Sequence, residues 1–256
     1  MINFTSKPRY MLDDLIRLVH VLRAPGGCPW DAAQTHLSIR RNFLEEAYEA
    51  CEALDCDDEA MLREELGDVL LQVLFHADIE SDRGRMTIDD IADAECRKLI
   101  FRHPFLFGGE RASWDELKKQ EKGQKTTGEA MQGVARSLPA TWRAEKIQKK
   151  AAKTGFCWES AGQALDKLAE EAQELREAVR DNTNIDEELG DMLFAAVRVA
   201  STLDKDPEQA LHSACEKFIR RFTAMEQSIL AEGRTLEEVS REELLASWDA
   251  QKRNGR

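Results

Sequence analysis

Two long stretches of this chain, residues 31–103 and 140–206, contain no proline. Proline costs about 3 kcal/mol inside a helix, so its absence over such lengths leaves long helices open to the chain. The same stretches are poor in glycine and rich in alanine, leucine, glutamate, lysine and arginine, which lose little on becoming helical. Apolar residues recur in them at steps of three and four. Leu44, Ala47, Tyr48, Cys51 and Leu54 form one stripe, and Leu62, Leu66, Val69, Leu70, Val73, Leu74 and Ala77 a second. Leu165, Leu168, Ala169, Ala172, Leu175 and Val179 form a third, and Leu189, Met192, Leu193, Ala196 and Val197 a fourth. This is the period of an amphipathic helix, and no segment alternates with the period of a strand. The sequence predicts an all-α fold of packed helices.

The chain also repeats itself. LEEAYEACEALD at 44–55 resembles LAEEAQELREAV at 168–179, and REELGDVLLQVLF at 63–75 resembles DEELGDMLFAAVR at 186–198. A Gly-Cys-Trp cluster precedes each pair, Gly27 to Trp30 and then Gly155 to Trp158. A basic helix follows each, from Cys96 to Arg102 and from Cys215 to Arg221. Each half closes on a tryptophan four residues before a lysine, Trp114 with Lys118 and Trp248 with Lys252. Landmarks in the same order twice imply duplication. The prediction is two tandem homologous helical-bundle domains, residues 10–120 and 140–255. Residues 121–139, with Gly123, Gly128 and Gly133, are expected to be a loose linker.

Charge narrows the function. The net charge is -13, from 49 acidic and 36 basic residues, so nucleic-acid phosphates and anionic lipid would be repelled. No apolar run reaches the ~18 residues that a membrane helix needs. The opening MINFTSKPRYMLDD has no apolar export core. The six cysteines form no CxxC pair, which suits reduced thiols. A cytoplasmic protein with neither nucleic-acid nor membrane partners is expected.

The acidic residues are patterned. Each half holds Glu-Glu-x-x-Glu, a spacer, and Glu-x-x-Asp: Glu45, Glu46, Glu49, Glu65 and Asp68, then Glu170, Glu171, Glu174, Glu188 and Asp191. Residues three or four apart share a helix face. If the two helices are antiparallel neighbours, two pairs of carboxylates oppose one another. Like charges that close repel strongly, so a cation belongs between them. Oxygen-only ligands suit a hard ion, Mg²⁺ or Mn²⁺. One EExxE in so glutamate-rich a chain is ordinary; two, each followed by EELGD, are not. Gly67 and Gly190 sit mid-helix at a cost of about 1 kcal/mol relative to alanine. A close helix approach or a nearby ligand is the expected reason.

EExxE followed by ExxD in an all-α setting resembles the MazG nucleoside triphosphate pyrophosphohydrolases, members of the all-α NTP pyrophosphatase superfamily. Lys146 to Phe156 (KIQKKAAKTGF), Lys217 to Phe222 and Trp248 add to the resemblance, which spans nearly the whole chain. It implies hydrolysis of an NTP to NMP and pyrophosphate with broad base preference, in nucleotide-pool housekeeping or a starvation response, by a homodimer. It implies Mg²⁺ held by Glu171, Glu174, Glu188 and Asp191, with a second, N-terminal set at Glu46, Glu49, Glu65 and Asp68. A net-acidic chain can take a polyanionic triphosphate only through such cations, which also polarise phosphorus and acidify bound water.

Other residues then acquire expected roles. Glu170 is the candidate general base or orienting residue. Lys217 and Arg221, one helical turn apart, would clamp phosphate oxygens, and Lys167 would share the metal face. Trp248 would stack on the base or ribose, with Lys252 one turn on; stacking tolerates any base. The first half has Asn42 where the second has Lys167, and the second half is expected to be the main catalytic one. Gly-Phe-Cys-Trp stands where the family usually has Gly-Phe-Asp-Trp, and Cys157 is expected to pack. The five histidines form neither HExxH nor the Glu-x-x-His of di-iron bundles. The alternatives are a pyrimidine-selective dNTP pyrophosphatase of the same superfamily and a non-catalytic helical regulatory module. A Nudix hydrolase is disfavoured for want of strands.

Overall fold

Helices form where the proline-free stretches predict them. The computed structural model describes residues 4–158 and 160–254, apart from the side chains of residues 115, 116, 119 and 254; the expected domain end at 255 lies outside the described residues. Among these there is no strand. The chain divides into two units, the first ending at Lys118 and the second beginning at Lys119.

The first unit contains α1 (Leu12–Arg23), α2 (Pro29–Ala32), α3 (Arg40–Asp55), α4 (Glu59–Asp82) and α5 (Ile88–Arg102), and α6 (Trp114–Glu121) begins in it. Residues 56–58 turn the chain back so that α3 packs along α4. Asp57 takes a left-handed conformation at this turn (φ 54°), and the Asp58 carboxylate caps α4 by accepting from the Ala60 and Met61 amides. Val19, Ile39, Leu74, Phe75 and Ile79 form the core, with Leu15, Ile16, Leu71 and Ile88 against it. Two polar networks flank that core. Arg23, 6% exposed in its side chain, donates to Asp78 at 2.6 Å and Asp82 at 3.2 Å. His36 meets Glu80 through Nε2 at 2.8 Å and His76 through Nδ1 at 2.7 Å. Burial, then the neighbouring His36, holds His76 below the usual imidazole range. His36 and His76 are thus structural in this unit, a role their spacing does not reveal.

The second unit contains α7 (Thr127–Gln132), α8 (Ala140–Ala152), α9 (Ala161–Asp181), α10 (Ile185–Thr202), α11 (Pro207–Ala231) and α12 (Arg241–Asn254). The stretch expected to be a loose linker therefore carries a helix. A reciprocal Thr126–Glu129 capping box starts α7, Ala130 and Val134 are buried, and α7 lies against α8. Its two apolar anchors outweigh the glycines. Asn182 and Asn184 adopt left-handed conformations (φ 53° and 50°) and fold α10 back along α9. Asparagine tolerates that conformation because its short side chain bonds locally. α8 packs on α10 and α11, and α12 packs on α11. The Asp206 carboxylate caps α11 and also accepts from Trp142 Nε1 at 3.1 Å.

The apolar stripes that define the helices are only partly covered. Leu44, Tyr48 and Leu66 are exposed in the first unit, and Leu165, Leu189, Leu193, Phe218 and Ile219 in the second. Among the described residues no helix is long and apolar enough to cross a membrane.

Candidate active site

Each helical hairpin gathers three carboxylates. Glu46 and Glu49 on α3 meet Glu65 on α4; Glu171 and Glu174 on α9 meet Glu188 on α10. In each trio, one oxygen from every residue lies within 4.8 Å of the others. The EExxE spacing supplies two groups from one turn, and the hairpin turn sets the third opposite. Asp68 and Asp191 stand outside these trios. Asp191 lines a cavity that Glu171 also lines, and the charge of Asp68 acts on both Glu46 and Glu65.

The electrostatics follow from crowding. Loss of solvent, followed by the shared hydrogen bond and charge of Glu171, holds Glu174 above the usual carboxylate range. Glu46 is raised by desolvation first and then by Asp68, Glu49 and Glu65. Glu65 is raised by desolvation and then by Glu49, Glu64 and Asp68. Carboxylates that have lost solvent and also repel one another gain most from a divalent cation, which offsets both effects. Oxygen donors at this spacing fit Mg²⁺ or Mn²⁺.

The two sites differ in one counter-charge. Lys167 bridges Glu171 at 2.8 Å and Glu170 at 2.7 Å, and these bonds raise its own protonation range. The first unit has Asn42 at that place. Glu171 is 8% exposed, and pairing with Lys167 accounts for a carboxylate so deeply placed. Glu170, the candidate general base, is exposed at the site's edge and engaged by the same lysine.

A cavity of about 310 Å³ opens beside Glu171, Asp191 and Lys167. Its walls are mostly apolar: Ile147, Ala151, Phe156, Trp158, Ala164, Phe194 and Ala195 among them. Two further polar residues, Gln148 and Arg198, also line it. Sequence reasoning assigned these two no role, although Gln148 lies within KIQKKAAK. A larger, shallower cavity adjoins it through Phe156, Trp158 and Lys167, and exposed Cys157 and Glu170 lie there. Cys157 is therefore at a cavity mouth, not packed inside as expected.

The basic and aromatic candidates sit elsewhere. Lys217 and Arg221 lie on α11, where Lys217 is exposed and Arg221 partly covered. Trp248 on α12 packs on Phe218 with ring centroids 5.0 Å apart, and Lys252 lies 5.8 Å from the Trp248 ring while pairing with Asp249 at 3.2 Å. None of these four lines the Glu171 cavity. In the first unit Trp114 is flanked by Arg102 at 5.4 Å and Lys118 at 5.1 Å.

Gly67 and Gly190 are not explained by close helix packing. A Cβ at either would meet nothing within 4 Å among the described residues. The expectation of a near helix fails because both face outward. An approach from outside the chain, by ligand or by a second copy, is the explanation that a substitution tests. Gly190→Ala is expected to raise stability by about 1 kcal/mol through helix propensity. It is also expected to lower turnover at least about fivefold if the outward face at Gly190 is one that a ligand or second copy approaches. Thermal melts and steady-state assays on one preparation check both. Unchanged turnover would show that nothing approaches that face.

The comparisons with known proteins agree with this duplication. A family model for the MazG nucleotide pyrophosphohydrolase domain matches residues 34–107 and again 160–224. Each match contains one carboxylate trio and its aspartate; Trp248 and Lys252 fall beyond the second. The chain is 41% identical over 246 residues to the nucleoside triphosphate pyrophosphohydrolase/pyrophosphatase MazG of Thermotoga maritima, covering 94% of this chain and 96% of that protein. It is 40% identical over 255 residues to the nucleoside triphosphate pyrophosphohydrolase of Escherichia coli K12, covering 94% and 97%. Uncharacterized protein YabN of Bacillus subtilis is 40% identical over 251 residues, which are 93% of this chain but 51% of that protein.

Proposed function

Since the chain belongs to the MazG nucleotide pyrophosphohydrolase family and is thereby a hydrolase, we propose that its second unit cleaves nucleoside triphosphates to monophosphate and pyrophosphate, with Mg²⁺ or Mn²⁺ and broad base preference. The observation that carries this reading is the meeting of Glu171, Glu174 and Glu188 beside Lys167 and a cavity of small-molecule size. Glu171, Glu174, Glu188 and Asp191 would hold the metal. When bound, it supplies Lewis-acid polarisation of the phosphoryl group and charge neutralisation.

The chain's own residues do the rest. Lys167 pairs with Glu171 and adds positive charge where the triphosphate arrives. The apolar walls from Phe156, Trp158 and Phe194 exclude water beside the phosphates, which strengthens each electrostatic contact. Glu170 exchanges its lysine partner for a proton from the attacking water, the carboxylate being in reach of the site's edge.

The working form is a homodimer. Exposed Leu165, Leu189, Leu193, Phe218 and Ile219 support that reading, since apolar stripes of this extent mark association surfaces. A second copy would also bring Lys217, Arg221, Trp248 and Lys252 to the triphosphate, as no basic residue but Lys167 and Arg198 lines the Glu171 cavity. The role is cytoplasmic control of the nucleotide pool, with neither nucleic acid nor membrane as partner.

Product analysis tests the reaction. ATP with Mg²⁺ is expected to give AMP and pyrophosphate; ADP and phosphate would overturn the bond assignment. A panel of ribo- and deoxyribonucleoside triphosphates separates broad from pyrimidine-selective hydrolysis.

A further inference from the structure

Two imidazoles of the first unit meet where only one hydrogen fits between them. His36 Nδ1 lies 2.7 Å from His76 Nδ1, and the rings stack with centroids 5.0 Å apart and planes 15° from parallel. A ring nitrogen that accepts a hydrogen bond must be bare, so one Nδ1 carries a hydrogen and the other does not. The Glu80 carboxylate fixes which. It lies 2.8 Å from His36 Nε2, accepts from Arg83 at 2.8 Å and stands 3.8 Å from Arg85. The bonds from His36 and Arg83 hold Glu80 below the usual carboxylate range, so it is ionised and can only accept. His36 Nε2 therefore carries a hydrogen. In the neutral ring Nδ1 is then bare, and His76 Nδ1 is the donor.

The pair ties the turn ahead of α3 to the flank of α4. That turn is closed by reciprocal bonds, from the Thr35 amide to Ser38 Oγ at 2.9 Å and from the Ser38 amide to Thr35 Oγ1 at 3.2 Å. It sets His36 against α4, leaves Leu37 exposed and delivers Ile39 to the core. The Ile39 amide donates to the Thr35 carbonyl, and the Phe43 amide to the Ile39 carbonyl. The Phe43 ring stands edge-on to His76, centroids 5.8 Å apart. The second unit repeats none of this. Aligning the two EELGD segments sets Val199 against His76 and Leu203 against Glu80, as it sets Ala195 against Gln72 and Arg198 against Phe75. Aligning the two EExxE motifs sets Ala161 against His36 and Ala164 against Ile39.

We infer that the His36–His76 pair is an acid-operated latch on the turn that leads into α3, closed while one hydrogen lies between the two Nδ1 atoms and open once both rings are cations. One added proton is accommodated. It rests on His76 Nε2, or makes His36 the cation beside Glu80, and either way one Nδ1 still donates to the other. A second leaves two N–H groups facing each other, with no acceptor and with like charges in contact. The other charged groups around the pair are engaged elsewhere. On α3 Arg41 pairs with Glu45; on α1 His20 and Arg23 reach Asp78, and Arg23 also Asp82; on α5 Asp90 caps its own helix at Thr87. Loss of solvent and then His36 hold His76 below the usual imidazole range, so the folded unit resists a proton that the unfolded chain takes up near about pH 6.5. The latch thus holds above that pH and is lost as pH falls below it. The helix it anchors carries Glu46 and Glu49 of the first carboxylate trio.

Native-state amide hydrogen exchange on the full chain tests this, with protection corrected for the intrinsic pH dependence of exchange. The reporters are the Ile39 and Phe43 amides, and the Ala164 amide, which donates to the Ser160 carbonyl, is the control in the second unit. In the wild type, protection at Ile39 and Phe43 is expected to fall at least about tenfold between about pH 7.5 and about pH 5.5, the loss of one hydrogen bond with two like charges in its place. Protection at Ala164 should hold within about threefold. His76→Asn sets an amide near the place of Nδ1 that can donate to a neutral His36 or accept from a charged one, so its profile should stay flat within about threefold. A flat wild-type profile, an equal fall at Ala164, or a fall in His76→Asn as steep as the wild type's overturns the latch. Should that variant fold poorly, nitrogen NMR of the wild-type imidazoles decides. One Nδ1 of the pair should be protonated at about pH 7.5, and protection should fall as the second gains its proton. Both Nδ1 atoms protonated with protection intact, or both bare at the higher pH, overturns it equally.

Discussion

Glu171→Gln is expected to reduce NTP hydrolysis by about three orders of magnitude while the protein stays folded. The substitution is nearly isosteric, so the packing of α9 on α10 survives, but one negative charge leaves a trio gathered within 4.8 Å. Metal assistance to phosphoryl transfer amounts to several kcal/mol, and each 1.36 kcal/mol is about tenfold in rate. Lys167 loses its charged partner at residue 171 at the same time, so its charge is left beside the site with the exposed Glu170 to answer it. Glu174→Ala and Asp191→Ala should behave alike. The matching Glu46→Gln in the first unit is expected to leave turnover within about threefold, since Asn42 there gives no counter-charge like that of Lys167. Two measurements decide: steady-state turnover, and the rise in melting temperature on adding Mg²⁺, which reports binding to the native state. Wild type should show that rise strongly and Glu171→Gln weakly. Retained turnover in a folded Glu171→Gln enzyme would remove the carboxylate cage from the mechanism.

What was legible in the sequence is what depends on local geometry. The proline-free stretches and the step of three and four gave the helices. Spacing along one helix put Glu171 and Glu174 on a common face, and three residues at 182–184 were enough to bring Glu188 opposite. Duplication was visible because both hairpins had to preserve the same constellation. The cavity was not legible, because its walls come from α7, α8, α9, α10 and the loop between α8 and α9, and no local pattern marks residues from so many segments as neighbours. Gln148 and Arg198 look like ordinary surface positions of a charged helix until the fold buries the first and half-buries the second. A signal was present in the repeat alignment: where the halves differ, alanine replaces isoleucine or glutamine and arginine replaces phenylalanine. Such replacements shrink a core and leave a polar group inside it. The first unit's His36–His76–Glu80 network escaped for the same reason, as its members lie 40 and 44 residues apart. α7 is hidden in the sequence because composition reports average polarity, whereas the segment docks through buried Ala130 and Val134.

Ala164→Ile combined with Ala195→Gln transplants the first unit's filling into the second. KM for every NTP is expected to rise at least about fiftyfold, while metal binding persists. Ala164 is 1% exposed and Ala195 8% exposed, and both line the cavity. The added side chains have that space to enter, so the cost of overpacking should stay near the low end of about 1–3 kcal/mol. The carboxylate trio is untouched, so the Mg²⁺-dependent rise in melting temperature should match the wild type. That separation of effects matters, because it tests whether the site divides into a part for phosphate, held through cations, and a part for the base, held through shape. A lost base subsite also lowers kcat where its binding energy helps orient the reacting phosphate. The steady-state parameters, read beside the metal-dependent melt, therefore distinguish three outcomes. A high KM with intact metal response places the base in this cavity. An unchanged KM in a folded variant means the base binds elsewhere, with Trp248 then the residue to test. Loss of the metal response together with activity means the cavity supports Glu171 and its neighbours, not the base.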